Sequence, residues 1–441
     1  MAGKNMFESL LERLKTISQE GTLDGSDADR RDNLHRLFMY PAMMVPKTQT
    51  AIIEAIATCL PPNAYAIDPF VGSGTSLMSC MEKGYNVFGQ DINPFAVLLS
   101  KAKATKYDMN GFLCSFEKVK NRIEQDSEET IDVKFNNIDK WFNKDVQVSL
   151  SKIRRAIIQE TDIRYRNFFW VIMSEVIRIG SNDRTSTFKL HQRSSKDIAR
   201  RKIDIIKEFF HLAERGISDL QFYKDKLAEG NLIIDDWYAG KVRIVWGNTQ
   251  KAIETEDKFD LLVSSPPYGD NHTTVTYGQT CYLPLQWIDH NDLDCPYDYL
   301  KTTQEIDRQS LGGRINSKGI LEKAEKLFAK SDSLKYFFSS VEEKDKFKYY
   351  KTITFIADFD ECLDKIIASM KPDAFYIWTI GNRFVNGREV PNSKILIDLM
   401  EHRGINLFYT AERQILNKKQ AKKNSCSKTM EKEMIVIFHN N

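Results

Sequence analysis

Apolar residues recur at helical spacing over 7–17 ("FESLLERLKTI") and over 47–60 ("KTQTAIIEAIATCL"), where Pro61 and Pro62 stop the run. Between them lies the polar, turn-rich "EGTLDGSDADRRDN" (20–33). The period then changes. "AYAID" (64–68) is a short buried strand, "PFVGSGT" (69–75) a glycine-rich turn, "SLMSCMEKG" (76–84) a helix closed by Gly84, and "YNVFGQD" (85–91) a second strand. A strand–turn–helix–strand unit ending in an acid opens a doubly wound sheet.

The alternation pauses from about 104 to about 240, where helical patterns dominate. Val146, Leu150, Ile153 and Ile157 share one helix face, and "RNFFWVIMSEVIRIG" (166–180) is a mostly apolar helix ending at Gly180. Strand patterns return at "KVRIVWG" (241–247) and "FDLLVSS" (259–265). A second polar insertion at about 290–350 precedes "AFYIWTIG" (374–381), "NLFYTAERQIL" (406–416) and "EMIVIFH" (433–439). The expected fold is α/β: a doubly wound, mostly parallel Rossmann-like sheet with a large, mainly helical insertion. The expected divisions are a helical extension at 1–30, a sheet domain from 31–105 and 241–441, and the insertion at 106–240.

Length and composition narrow the class. A chain of 441 residues can bury a full core. Its 42% hydrophobic and 28% charged residues are ordinary for a soluble globular protein. A formal charge of +2 carries no global signature of nucleic acid, so any such footprint must be local. Seven cysteines without a CxxC pair argue against a zinc site or a disulfide framework and fit a reducing cytoplasm, with no metal expected. The charged "MAGKNMFESLLERLKTI" is unlike a signal peptide, and no apolar run approaches the ~18 residues that span a membrane. The expected location is cytoplasmic, with no membrane partner.

Two strand ends carry the chemistry. In "DPFVGSGT", Asp68 ends a strand, Phe70, Gly72 and Gly74 lie in the turn, and Thr75 opens a helix. Glycines permit positive φ and close approach of a ligand, and a helix amino terminus offers N–H donors to an anion. Asp91 closes the next strand, where an acid can accept both hydroxyls of a ribose. The set describes a pocket for an adenosine-bearing ligand; neither a GxGxxG nor a GxxxxGK[ST] pattern is present. The second strand end is "SSPPYGD" (264–270). Two consecutive prolines remove two backbone donors and fix two φ angles, so no central strand runs through them. A rigid turn at a strand's carboxyl end is where open α/β sheets bind ligands.

Together these residues resemble the S-adenosylmethionine-dependent DNA methyltransferases that modify exocyclic amino groups. "DPFVGSGT" looks like their cofactor motif, Asp91 in "GQDINP", beside Asn93, like the ribose-binding acid, and Asn248 in "GNTQKAI" like the position that contacts the cofactor's adenine. "HRLFMYPAMMVPKTQTAI" (35–52) is similar to the segment that closes over the methionine end, and 357–382 and 412–419 are in keeping with the remaining strands. "SPPY", Ser265, Pro266, Pro267 and Tyr268, resembles the catalytic motif in its cytosine-N4 form; adenine-N6 enzymes usually carry Asp or Asn first. The likeness spans about 30–110 and 240–441 and implies S-adenosylmethionine as cofactor and double-stranded DNA as partner. A candidate target-recognition region then precedes the catalytic motif, unlike cytosine-N4 enzymes in which that motif comes first.

The chemistry fits those residue types. The target amine is a poor nucleophile because its lone pair is delocalised into the ring. The Ser265 hydroxyl and the Pro266 carbonyl can accept its hydrogens, and a proline-stiffened turn holds such dipoles with little reorganisation. The base must be flipped from the duplex, and a stacking contact from Tyr268, worth ~1–3 kcal/mol, would offset part of that cost. Cytosine-C5 methylation would need a thiolate, usually after a proline. The only such pairing, Cys295-Pro296, is reversed and lies in a polar insertion. For phosphate contact the basic stretches are 189–207, with Lys189, Arg193, Arg200 and Arg201, and 417–428, with Lys418 and Lys419. "GDNHTTVTYGQ" (269–279) is placed to hold the flipped base or its gap, and "QSLGGR" (309–314) to turn over the site. The expected activity is cytosine-N4 DNA methylation, as the modification half of a restriction–modification or related defence system, with a separately acting endonuclease as its counterpart. The alternatives are an adenine-N6 DNA enzyme, an RNA or small-amine methyltransferase, and a catalytically silent DNA-binding module.

Overall fold

The computed structural model describes residues 2–25, 33–41, 43–186, 189–269, 275–314, 319–415 and 430–440. Seven strands form its main sheet: β1 Tyr65–Asp68, β2 Asn86–Asp91, β3 Val242–Trp246, β4 Phe259–Ser264, β5 Met370–Gly381, β6 Asn406–Gln414 and β7 Lys432–His439. Their order is β6-β7-β5-β4-β1-β2-β3. All pairs are parallel except those of β7, which runs antiparallel to β5 and β6. This is the expected doubly wound, mostly parallel, Rossmann-like sheet. The chain runs outward from β1 through β2 to β3, then returns to lay β4 against β1 on the other side. Strand order therefore reverses between β1 and β4, and at such a switch point a crevice opens beyond the carboxyl ends. Both chemistry-bearing turns leave from there.

The central strands are buried on both faces, which is why they read as apolar runs. Successive residues divide between two cores: Ala66, Leu261 and Val263 face one, Ile67 and Leu262 the other. The first core receives helices α1 Ala2–Gln19, α2 Pro46–Ile56, α3 Thr75–Met81 and α4 Pro94–Ala104. It continues into α5 Met109–Gln125, α6 Lys144–Ile158, α7 Ile163–Gly180, α8 Ile205–Glu229 and α9 Tyr277–Trp287. Val146, Leu150, Ile153 and Ile157 are buried together, as their spacing required. Phe168 to Met173 of α7 are each 1% exposed or less, because α4, α6, α8 and α9 enclose that helix. At Gly216 of α8 a Cβ would lie 2.8 Å from both Leu37 and Phe168, so glycine permits the close seating of α8. The helices of 106–240 thus form an outer shell continuous with the sheet's own core.

The second core carries α10 Ile320–Phe328, α11 Asp332–Ser339, α12 Tyr350–Ser369 and α13 Asn392–Glu401. The expectation of a polar insertion at 290–350 is corrected for its latter half. Ile320, Leu327, Leu334, Phe337 and Phe338 are all buried against the sheet layer. Lysines and glutamates between them hide the apolar stripe when polarity is averaged along the chain. Among the described residues, no helix is long and apolar enough to cross a membrane, and no group of three or more His, Cys, Asp or Glu is placed to hold a metal ion.

Candidate active site

Asp68 ends β1 fully buried and joins three segments. Its Oδ1 accepts from Phe70 N at 3.0 Å and Ser264 Oγ at 2.7 Å, and its Oδ2 accepts from Ser76 Oγ on α3. Burial pushes its carboxyl up to about 6, against the lowering effect of these donors. Ser264, just ahead of the SPPY motif, is therefore the direct tie between the end of β4 and the end of β1. In the turn that follows, Gly72 and Gly74 have φ of +50° and +77°, the left-handed region glycine enters at little cost. At Gly74 a Cβ would stand 2.8 Å from Ser100 Oγ, so α4 could not approach the turn as it does. Lys103 of α4, itself wholly buried, donates to the Ser73 carbonyl at 2.6 Å from behind.

Asp91 at the end of β2 is gripped by main chain. Gly72 N donates to its Oδ2 at 2.9 Å and Asn93 N to its Oδ1 at 2.8 Å. Burial pushes its carboxyl up to about 6, against the main-chain donors of Asn93, Gly72 and Ile92. Asn93 caps α4 through Phe95 N at 3.0 Å, and its Nδ2 donates to the Tyr40 hydroxyl at 3.0 Å. Asn248, beyond β3, accepts from Gln250 N at 3.0 Å, and Thr249 Oγ1 donates to the Pro69 carbonyl at 2.7 Å. The three strand ends are thereby linked through their loops.

A cavity open to solvent lies between these loops and the proline turn. Phe70, Gly72, Thr75, Asp91, Asn93 and Asn248 border it on one side, and Ser265 and Pro267 on the other. The two corners thus share one chamber, as their places on adjacent parallel strands demanded. Asp68 and Gly74 stand behind its wall, and Pro266 is buried. Tyr268 does not border it either. Its half-buried ring packs against the second core, and its hydroxyl lies 3.0 Å from Ser265 Oγ, 3.1 Å from Glu433 Oε1 and 3.4 Å from the Thr379 carbonyl.

Other walls come from residues that the motifs did not single out. Tyr40, Met43 and Met44 belong to the 35–52 segment, whose likeness pointed to the site without choosing among its residues. Tyr277 also borders the cavity and packs on Tyr40, with ring centroids 5.8 Å apart. It is held by Asp307, a buried carboxylate that accepts from Gly278 N at 3.1 Å and is pushed up to about 7 by burial. Ser310 and Leu311 also reach the cavity, within the "QSLGGR" turn. Asp307 had no local signal, since its role depends on a helix end thirty positions away in the chain.

The basic residues separate by environment. Arg201 donates through Nη1 and Nη2 to the Ser181 and Ile179 carbonyls and so closes the carboxyl end of α7. Arg193 reaches the Arg184 carbonyl at 3.4 Å. Arg200 is exposed at the end of the short helix Ser195–Arg200, and Lys189 borders a second, smaller cavity with Arg178 and Asp183. Lys418 and Lys419, and 270–274, lie outside the described residues. The Cys295 thiol is buried and pushed up to about 12 by burial and by Asp294, an environment opposed to thiolate chemistry.

The fold and these paired corners define a methyltransferase architecture, and similarities to known proteins agree with it. Residues 49–215 match the family model described as D12 class N6 adenine-specific DNA methyltransferase. The chain is 29% identical over 432 residues to the Type II methyltransferase M.MvaI of Kocuria varians, covering 94% of this chain and 92% of that protein. It is 23% identical over 264 residues to the Type II methyltransferase M.MjaII of Methanocaldococcus jannaschii, covering 60% of this chain and 48% of that one. Among solved structures, the rRNA methyltransferase aviRa from Streptomyces viridochromogenes aligns over 91% of this chain and 86% of its own, with 10% identity and a TM-score of 0.29, a superposition too poor to add to the topology. These likenesses support DNA methylation, and a methyltransferase implies S-adenosylmethionine as methyl donor. The matched family stretch contains the glycine turn, Asp91 and most of the helical shell, and it ends before Ser265.

Proposed function

We propose that this chain transfers a methyl group from S-adenosylmethionine to the exocyclic N4 amine of a cytosine flipped out of duplex DNA, as the modification enzyme of a Type II restriction–modification system. The observation that carries the reading is the shared chamber: Ser265 and Pro267 border the same cavity as Asp91, Gly72 and Thr75. The residues present fit the cofactor. Asp91 keeps acceptor capacity beyond its main-chain donors, which suits a pair of ribose hydroxyls, while Phe70 and Asn248 would hold the adenine. Gly72, Thr75 and the 35–52 segment would hold the amino-acid end. When bound, the cofactor supplies an electrophilic methyl carbon on its sulfonium. Ser265 Oγ, which borders the cavity, would accept a hydrogen of the target amine and free its lone pair, while Pro266, which is buried, and Pro267 stiffen the turn that holds it. Lys189, Arg193, Arg200, Lys418 and Lys419 are the candidates for phosphate contact, Arg201 being engaged by the Ser181 and Ile179 carbonyls, with the helical shell of 106–240 as the target-recognition region, and a separate endonuclease would read the same site.

The serine at the head of the motif supports cytosine over adenine. The description of the matched family favours adenine-N6 transfer, and it is the second reading; its stretch covers the cofactor side and not the residues facing the amine. Duplex DNA treated with the protein and labelled cofactor, digested to nucleosides, decides between them. Label in N4-methylcytosine is the expected result. Label in N6-methyladenine would overturn the base, and label accepted by RNA but not by duplex DNA would overturn the substrate.

A further inference from the structure

Tyr268 is the motif residue whose position a stacking role does not explain. Its hydroxyl is turned from the cavity into a junction of β4, β5 and β7, where it meets Ser265 Oγ at 3.0 Å, the Thr379 carbonyl at 3.4 Å and Glu433 Oε1 at 3.1 Å. Glu433 is locked in turn: Arg413 Nε donates to its Oε2 at 2.7 Å. These two residues are cross-strand partners of β6 and β7, and Glu433 lies opposite Gly381 of β5. Arg413 is anchored at its other end by the Leu23 carbonyl at 3.4 Å and Thr48 Oγ1 at 3.5 Å, with its side chain 5% exposed.

From this we infer that Arg413, Glu433 and Tyr268 form a hydrogen-bond chain that dictates the direction of the Ser265 hydroxyl and presents its oxygen to the cavity as an acceptor. The inference rests on the function proposed above and assigns positioning residues to it. The logic is one of proton counting. A phenol has one proton to give. A main-chain carbonyl and an arginine-paired carboxylate can only accept, so of the three neighbours of Tyr268 only Ser265 can donate to it. If Tyr268 gave its proton to Ser265, its oxygen would face two acceptors with nothing between them, at a junction closed to most solvent. The favourable arrangement gives the Tyr268 proton to Glu433, the stronger acceptor by charge, and the Ser265 proton to Tyr268. Ser265 then has no proton left to aim at the amine, and its lone pairs remain for the amine's hydrogens. A serine alone could rotate its hydroxyl either way; the chain removes that choice before substrate arrives, which is preorganisation. Loss of the chain leaves binding intact and returns the rotor its freedom.

Tyr268→Phe keeps the ring and removes the hydroxyl, so it separates this role from stacking. The measurement is single-turnover methyl transfer to duplex DNA, alongside cofactor affinity, for wild type, Tyr268→Phe, Glu433→Gln and the double variant. The expected result is a loss of about tenfold in rate for each single variant with cofactor affinity unchanged, and a double variant within about twofold of either single one, because the residues act as one chain. Tyr268→Phe at the wild-type rate would overturn the inference, as would losses that multiply to about a hundredfold in the double variant. Should Glu433→Gln not fold, Tyr268→Phe alone decides by the same criterion. If wild type itself transfers no methyl to DNA, the proposed function falls and takes this chain's role with it; wild-type transfer with an undiminished Tyr268→Phe rate removes only the chain.

Discussion

Lys103→Met makes the most searching test of how the site is built. Lys103 lies on α4, fully buried, with Nζ donating to the Ser73 carbonyl of the glycine turn at 2.6 Å. Burial lowers its pKa from the ordinary 10.5 to about 7. The unfolded chain therefore holds this proton up to about 10.5 and the folded chain only to about 7, so between those values the unfolded state binds more protons and stability rises with pH. Below pH 7 both states are charged, and folding bears the full burden of an interred ammonium. At about 1.4 kcal/mol for each pH unit between the two values, that burden is on the order of 5 kcal/mol. Methionine removes it and forfeits one hydrogen bond worth about 1 kcal/mol. The variant should be more stable than wild type by roughly 3–4 kcal/mol at about pH 6, the margin shrinking by about 1.4 kcal/mol per pH unit above 7 to roughly 1 kcal/mol at about pH 9. Urea denaturation of both proteins across that range measures the difference, in which titrating groups remote from Lys103 cancel. A margin that does not change with pH, or a variant less stable than wild type at about pH 6, would refute the reasoning.

Two further outcomes follow from the geometry. Ser265→Ala should lower the methyl-transfer rate by about 10²–10³ while cofactor affinity stays within about twofold, whereas Asp91→Ala should weaken cofactor binding first; isothermal titration paired with single-turnover kinetics separates them, and equal losses in both would mean that each change disturbs folding. Arg201→Ala should destabilise the protein by about 1–2 kcal/mol by uncapping two carbonyls at the end of α7, while Arg200→Ala should leave stability alone and, if that stretch meets phosphate, reduce the slope of log affinity against log salt by about one. Denaturation and DNA binding at several salt concentrations distinguish the two arginines.

Much of the fold and half of the site could be read from the chain alone, for a local reason. A parallel strand buried on both faces is a continuous apolar run, and the turns that end β1, β2 and β4 advertise themselves through glycine, aspartate and proline. Strand limits such as Asn86–Asp91 and Phe259–Ser264 therefore came within a residue or two of the sequence expectation. The residues of the glycine turn, Asp91 and Ser265 carry their chemistry in their own spacing. The α10–α11 pair did not, because its apolar stripe is interleaved with charge and becomes visible only against the surface it covers.

Tertiary structure decided the rest. That Ser265 and Asp91 border one chamber depends on β4 returning to lie beside β1, a long-range pairing that no local pattern encodes. That Ser264 secures Asp68, that Arg201 closes a helix, and that Glu433 reaches Tyr268 from a strand 165 positions later are all contacts between segments remote in sequence. Side-chain type states what a residue can do; the crossing of the chain states what it meets, and for the motif tyrosine that meeting is with an ion pair at the sheet's antiparallel edge.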